Sequence, residues 1–185
     1  MAAVALNVLP QPDGSIAIEG QRPSTLIRPV ATRDAEQIAG IYNYYVTNTI
    51  ITFEGEPVAP DQIARRIERI AKSHPWLVFE DSGTVIGYAY ASRWHSRCAY
   101  RLSVETTIYL AREQLGRGIG RQLYGALLDA LRVSDFHCAI GGIALPNAPS
   151  IALHESFGFK KVAEFSEIGR KFGKWVDVGY WQLIL

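Results

Sequence analysis

Apolar residues recur along this chain at two different periods, and the switches between them outline its elements. Ile38, Ile41, Tyr42 and Tyr45 fall at helical spacing, as do Ile63, Ile67 and Ile70, and later Ile119, Leu123, Leu127 and Leu131. Between Arg101 and Leu110 the period shortens to two. Leu102, Val104, Thr106, Ile108 and Leu110 then share one face of a strand, and Glu105, Thr107 and Tyr109 share the other.

The intervening segments complete the map. Leu26 to Val30 predicts a first strand. Thr32 is placed to cap the helix after it, with Asp34 and Glu36 suiting its positive end. The β-branched run from Asn48 to Phe53 closes that helix, and Pro60 suits the first position of the next. Trp76–Glu80 and Thr84–Ala91 read as strands joined by a turn at Asp81-Ser82-Gly83. Ser92 to Tyr100 reads as a loop.

After the third helix, His137 to Ile143 predicts a short strand. Asn147 to Phe157 predicts a helix that Gly158 ends in a left-handed cap. Lys161–Glu167 and Val176–Leu185 predict closing strands, joined by a loop around Gly169 to Gly173. The succession implies an α/β domain, a mixed sheet with helices on both faces. Residues 1–24 fit no element well, beyond a turn signal at Pro10 to Gly14 and a short strand near Ser15 to Glu19. They are expected to form an extension that packs on the surface or on a second subunit, with the domain proper spanning 25–185.

Composition narrows the function classes. The 185 residues suffice for one domain with a substantial core. A net charge of +1 and the lack of any basic run argue against a nucleic-acid partner. No apolar stretch is long enough to span a bilayer, and Met1 to Leu9 lacks the basic lead of a signal peptide. Cys98 and Cys138 do not form a Cys-x-x-Cys pair, so a reducing cytoplasm is expected and no metal site is implied.

The stretch Leu115-Gly116-Arg117-Gly118-Ile119-Gly120-Arg121 carries the first chemical signal. Glycines allow close backbone approach, and a helix start offers unpaired N–H groups and positive potential. Together they seat a phosphate. A Walker loop requires Lys-Ser/Thr after its last glycine, where Arg121-Gln122 stands. A dinucleotide fingerprint requires a third glycine where Arg121 stands, and an acidic residue at the next strand end. A pyrophosphate loop for an acyl-CoA remains, beside a plain glycine-rich turn.

Several further segments decide between them. Ile41-Tyr42-Asn43, Thr52-Phe53-Glu54, Gly87-Tyr88-Ala89-Tyr90-Ala91, Val104 to Tyr109, Leu145 to Ser150 with Leu153-His154-Glu155, and Gly173 to Gln182 occur in that order. In this order the chain resembles the GNAT superfamily of N-acetyltransferases, most closely those acting on phosphinothricin and methionine sulfoximine. The resemblance runs over roughly residues 26–185. It implies a mostly antiparallel GNAT sheet, acetyl-CoA as co-substrate, a small-molecule amine as acceptor and a homodimer. Leu115 stands where the superfamily usually has Gln or Arg, so Gln114, Arg112 or Arg121 is expected to replace that contact.

Acetyl transfer to an amine needs a base, a donor for the developing oxyanion and a proton for the leaving thiolate. Alone, Glu105 reads more readily as a strand glutamate paired with an arginine on the sheet surface. The resemblance makes it the base. Backbone N–H groups of Ile108, Tyr109 and Leu110 are expected to hold the thioester arm, and Gly116 to Arg121 the pyrophosphate. Asn147 and Ser150 share a face at the next helix start. By resemblance Asn147 meets the pantetheine, and it also suits a helix cap.

His154 occupies the place of a tyrosine that serves as acid in many relatives. Phe53, His95, Arg97, Thr106 and Thr107 are the expected acceptor contacts, with His95 replacing a lysine. That replacement lowers positive charge and favours a sulfoximine or sulfone over a phosphinate. The Trp175/Tyr180/Trp181 group reads as core or dimer interface, and Asp177 with Lys174 as support for the substrate loop.

Overall fold

The computed structural model describes residues 8–10, 16–18 and 25–185. Two short strands, β1 (Val8–Pro10) and β2 (Ile16–Ile18), pair with each other antiparallel. The strand expected near Ser15 to Glu19 is thus present as β2. Residues 11–15, which hold most of the expected turn, lie outside the described residues.

Seven strands form the main sheet: β3 (Thr25–Pro29), β4 (Trp76–Asp81), β5 (Thr84–Arg93), β6 (Ser103–Leu110), β7 (Cys138–Ala144), β8 (Lys160–Lys171) and β9 (Lys174–Ile184). Their order is β3-β4-β5-β6-β7-β9-β8. Every neighbouring pair is antiparallel except β6 and β7, which run parallel. Four helices cover the two faces: α1 (Ala35–Asn48), α2 (Pro60–Ile70), α3 (Ile119–Val133) and α4 (Ala148–Ser156).

The helical periods become the two halves of the core. Ile38, Tyr42, Tyr45, Ile63 and Ile67 pack with Trp76, Val78 and Tyr88 on one face of the sheet. Leu123, Tyr124, Leu127, Leu128 and Leu131 pack with Ala89, Ala91, Val104 and Ala139 on the other. Each fully buried leucine of α3 contributes about 1.5–3 kcal/mol relative to exposure. Small alanines in the middle strands let α3 approach the sheet closely.

Two local expectations are corrected. Thr32 does not cap α1. It begins a short 3₁₀ turn, and the reaching side chain is Asp34, whose carboxylate accepts from the Ala31 N–H at 2.8 Å. Asp34 is also buried in a two-pronged pair with Arg28 at 2.7 and 2.8 Å, and Arg28 holds Glu80 on β4 as well. This network ties the first strand to the entry of α1.

Residues Gly169 to Lys171 belong to β8 and not to a loop. The turn is only Phe172-Gly173, both with positive φ, which matches the twist of a tight hairpin. A register shift between Phe165 and Gly169 places Glu167 at positive φ, and Asp177 accepts its N–H at 2.7 Å. Asp177 therefore supports this hairpin. Of the aromatic group, Trp181 is core and Trp175 is exposed.

Candidate active site

The one parallel junction creates an opening. β6 pairs with β7 only over Ser103–Glu105, against Cys138–Ile140. Beyond Glu105 the strands part. The Ala111 N–H bonds to Ile86 and the Trp94 N–H to Ser103, so odd-numbered residues of β6 direct their backbone groups at β5. Alternation then turns the N–H groups of Ile108 and Leu110 toward the gap. The Tyr109 N–H faces β5, so of the three N–H groups expected to hold the thioester arm only those of Ile108 and Leu110 are turned toward the gap, and that of Tyr109 is not. Tyr109 instead lines the gap with its side chain.

The root of the gap is stitched by side chains. Thr106 Oγ1 donates to the Ile140 carbonyl at 3.1 Å and lies 2.7 Å from the Tyr124 hydroxyl. Thr106 is buried and serves this junction, while Thr107 lies on the opposite, Glu105-bearing face of β6.

On the α3 side the gap widens into a groove of about 510 Å³, floored by Ile108 and Leu110 and walled by Gly116, Gly118, Gly120 and Ser150. Gly116 and Gly118 both adopt positive φ, and Gly118 is the α3 N-cap with no side chain bonded there. The first bond of the helix runs from the Gln122 N–H to Gly118. The N–H groups of Ile119, Gly120 and Arg121 therefore have no intrahelical acceptor. The Ile119 side chain is buried in the core. Arg121 lies along the rim, bonded to Ser156 Oγ at 3.0 Å. Arg117 is exposed, donates to Gln114 Oε1 at 3.1 Å, and does not line the groove. Asn147 caps α4 by accepting the Ser150 N–H at 3.2 Å, and both residues line the groove.

Through the gap lies a second cavity of about 240 Å³, lined by Thr52, Phe53, Glu105, Thr107, Tyr109 and Gly142 among others. Glu105 is half-buried, and burial pushes its carboxyl above the ordinary value. Among the described residues it has no hydrogen-bond or cationic partner, so nothing offsets that rise. Gly142 leaves the carboxylate its space: a Cβ there would sit 3.2 Å from Glu105 Oε1.

The outer end of the Phe53 ring packs against Gly169, and Lys171 Nζ donates to the Thr52 carbonyl at 2.6 Å. Thr52 Oγ1 is in turn 2.7 Å from the Tyr42 hydroxyl. The 51–54 segment is thereby fixed as one wall. Lys171 and Tyr42 act across long separations and leave no local trace in the sequence. The adjacent glycines in a strand, Gly141-Gly142, are a signal of close approach that sequence reasoning passed over.

Two sequence expectations change here. His154 is buried between Tyr124 and Phe159. Its Nδ1 lies 2.8 Å from the Ser150 carbonyl, which can only accept, so Nδ1 carries the hydrogen. Burial also lowers its pKa, more than the bond to Ser150 raises it. The ring is neutral with its one N–H engaged, and in this geometry it has no proton to give a leaving thiolate. His95 and Arg97 are exposed and do not line the Glu105 cavity. His95 borders a separate hollow with Trp94, Phe165 and Tyr180.

A groove floored by strand amides, ending at a helix start and opening beside a lone carboxylate, suits a long diphosphate-bearing thioester. Comparison with known proteins agrees. The acetyltransferase (GNAT) domain family matches residues 27–179. The chain belongs to the GNAT acetyltransferases.

Within that family it is 39% identical over 170 residues to a phosphinothricin N-acetyltransferase of Streptomyces coelicolor, covering 84% of this chain and 94% of the relative. It is 36% identical over 160 residues to an L-methionine sulfoximine/L-methionine sulfone acetyltransferase of Salmonella typhimurium, covering 86% and 94%. A crystal structure of a GNAT phosphinothricin acetyltransferase from Sinorhizobium meliloti, in complex with acetyl-CoA, superposes with a TM-score of 0.84 at 35% identity. It covers 87% of this chain and 88% of that one.

Proposed function

We propose that this GNAT enzyme moves the acetyl group of acetyl-CoA to the amine of a small amino acid or analogue, of the phosphinothricin or methionine sulfoximine and sulfone type. The observation that carries the reading is Glu105: half-buried, unpaired among the described residues, in a cavity continuous with the glycine-loop groove. The relatives' acceptors and the bound acetyl-CoA of the Sinorhizobium meliloti protein support it.

In this reading the α3 N–H groups and Arg121 hold the pyrophosphate. The free N–H groups of Ile108 and Leu110 bond the pantetheine as an added strand would, and Asn147 and Ser150 flank its arm. Glu105 takes a proton from the acceptor ammonium. The nitrogen lone pair then attacks the thioester carbon, and the tetrahedral intermediate collapses by breaking the C–S bond. The proton still on nitrogen goes to the departing thiolate, so no histidine acid is required.

The enzyme acts in the cytoplasm as a homodimer. Free Cys98 and Cys138 suit a reducing compartment. Phe165, Ile168, Phe172 and Trp175, exposed on the β8–β9 hairpin, suit a face covered by a second copy. The test is thiol release from acetyl-CoA across amino acids and their sulfoximine, sulfone and phosphinate analogues. Saturable turnover with one of these is expected, and none with any would overturn the assignment.

A further inference from the structure

Lys171 is buried, with 7% of its surface exposed, and the chemistry proposed above gives it no part. Among the described residues it forms no ion pair. Its ammonium lies 5.2 Å from the centre of the Phe172 ring, and its side chain makes one hydrogen bond, to the Thr52 carbonyl at 2.6 Å. Burial lowers its pKa more than nearby Glu54 raises it, so the surroundings do not favour its charge. A buried ammonium is costly to the fold unless its donors are used. What Lys171 holds is therefore its distinguishing feature.

The sheet register sets that bond beside the reacting carboxylate. Gly169 of β8 pairs with Val176 of β9, and Lys171 with Lys174. Further along β9, Gln182 pairs with Ile140 of β7, which itself pairs with Glu105. Directly paired residues share a face, and so do alternate residues of one strand. Gly169 and Lys171 thus stand on the Glu105 face of the sheet.

The segment that Lys171 reaches has few other ties. Among the described residues, the backbone of 50–58 makes no hydrogen bond to other backbone. Asn43 of α1 bonds Val58, and Arg66 of α2 pairs with Glu54. From the sheet, the bond to this backbone comes from Lys171. Phe53, next to the held carbonyl, lines the Glu105 cavity yet keeps 47% of its surface exposed, so packing holds it only in part. The outer end of its ring meets Gly169, two residues before Lys171. One strand fixes both the backbone that carries the ring and the surface on which the ring rests.

We infer that Lys171 is a positioning residue for the amine acceptor: through the Thr52 carbonyl it keeps Phe53 in place as a wall of the Glu105 cavity. This rests on the function proposed above and adds to that site a residue that lines neither cavity. Without the bond, the 51–54 segment leaves the hairpin and the acceptor loses the ring it packs on. The glycine-loop end of the groove is untouched.

The test is steady-state thiol release with an acceptor that wild type uses, in Lys171→Met, Phe53→Ala and the double variant. Methionine keeps an unbranched apolar stem, and thermal melts check folding. Loss of a hydrogen bond to a charged group corresponds to about 10-fold or more. Lys171→Met is expected to raise the acceptor's KM by about 10-fold while coenzyme A affinity, by calorimetry, is unchanged. Phe53→Ala is expected to act likewise. The double variant should match Phe53→Ala, because a residue that works through the ring has nothing left to hold. Gly169→Ala reaches the same ring without touching Lys171: its Cβ would lie 2.4 Å from Phe53 Cζ, and the same acceptor-selective rise is expected. Asp34→Ala weakens the fold outside the cavity, so it controls for lost stability and should leave the acceptor's KM unchanged.

An unchanged acceptor KM in Lys171→Met or Gly169→Ala, an equal loss of coenzyme A affinity, or additive effects in the double variant would overturn the inference while the proposed function stands. Absence of wild-type turnover with every acceptor would overturn both.

Discussion

Glu105→Gln tests the chemistry most directly. The substitution keeps shape and removes only the ability to accept a proton as a base. A positioned general base contributes about 10²–10⁴-fold, which is about 2.7–5.4 kcal/mol of barrier. The structure gives Glu105 no cation to hold it ionised, and burial raises its pKa above the ordinary 4.5. The base form is lost on acidification, so kcat/KM should fall as pH drops through that raised value, and the limb should vanish in the glutamine variant.

Stability should move the other way. A carboxyl whose folded pKa is raised destabilises the fold when ionised, and that cost disappears as pH falls through the folded pKa toward the unfolded one. At neutral pH the glutamine variant should therefore melt no lower than wild type. Stopped-flow or steady-state thiol release across pH, with calorimetry of coenzyme A binding, measures all of this. Turnover within twofold of wild type, or an acid limb that persists in the variant, would refute Glu105 as the base.

Other perturbations probe the surrounding structure. His154→Asn keeps an N–H for the Ser150 carbonyl, so kcat should stay well clear of the ~10²-fold loss expected on removing a general acid, as read by the same thiol assay. Gly142→Ala places a methyl 3.2 Å from Glu105 Oε1 and 3.3 Å from the Tyr180 ring. Displacing the base should lower kcat about tenfold to a hundredfold without changing coenzyme A affinity.

Asp34→Ala removes the two-pronged partner of Arg28, which keeps Glu80; the pair's side-chain exposures are 3% for Asp34 and 17% for Arg28. The cost should be about 1.5–3 kcal/mol, or about 3–12 °C in melting temperature. Burial favours a raised pKa for Asp34, but the bonds from Arg28 and Ala31 outweigh it and the net shift is downward. Its stabilisation is thus present above the ordinary 3.8 and lost as pH falls through the lower folded value. Acid titration of the melting temperature should show that drop in wild type and not in the variant.

The elements were legible because their signals are local. The isoleucine and leucine periods, the Pro60 start, the Asn147 cap and the Gly158 stop each depend on residues within a few positions of one another. Glu105 was legible as to strand and face for the same reason. What escaped was built from partners far apart in the chain. Lys171 reaches Thr52, and Arg28 reaches Glu80, only after the sheet has assembled. The misplaced loop at Gly169 reflects glycine's ambiguity: it suggests a turn, whereas here it makes room for the Phe53 ring within a strand. His154 shows that a residue's place in a motif does not fix its tautomer, which its neighbours decide.

The parting of β6 from β7 has a consequence for traffic. On the function proposed above, the long thioester would lie along the side bearing α3 and α4, and the carboxylate that would face the amine stands on the other. The two reactants therefore enter from opposite doors and meet in the slot between. Neither blocks the other's path, so both orders of addition are open, and spent coenzyme and acetylated product can depart independently. A single inhibitor imitating both would have to thread that slot, with its linker one strand thick.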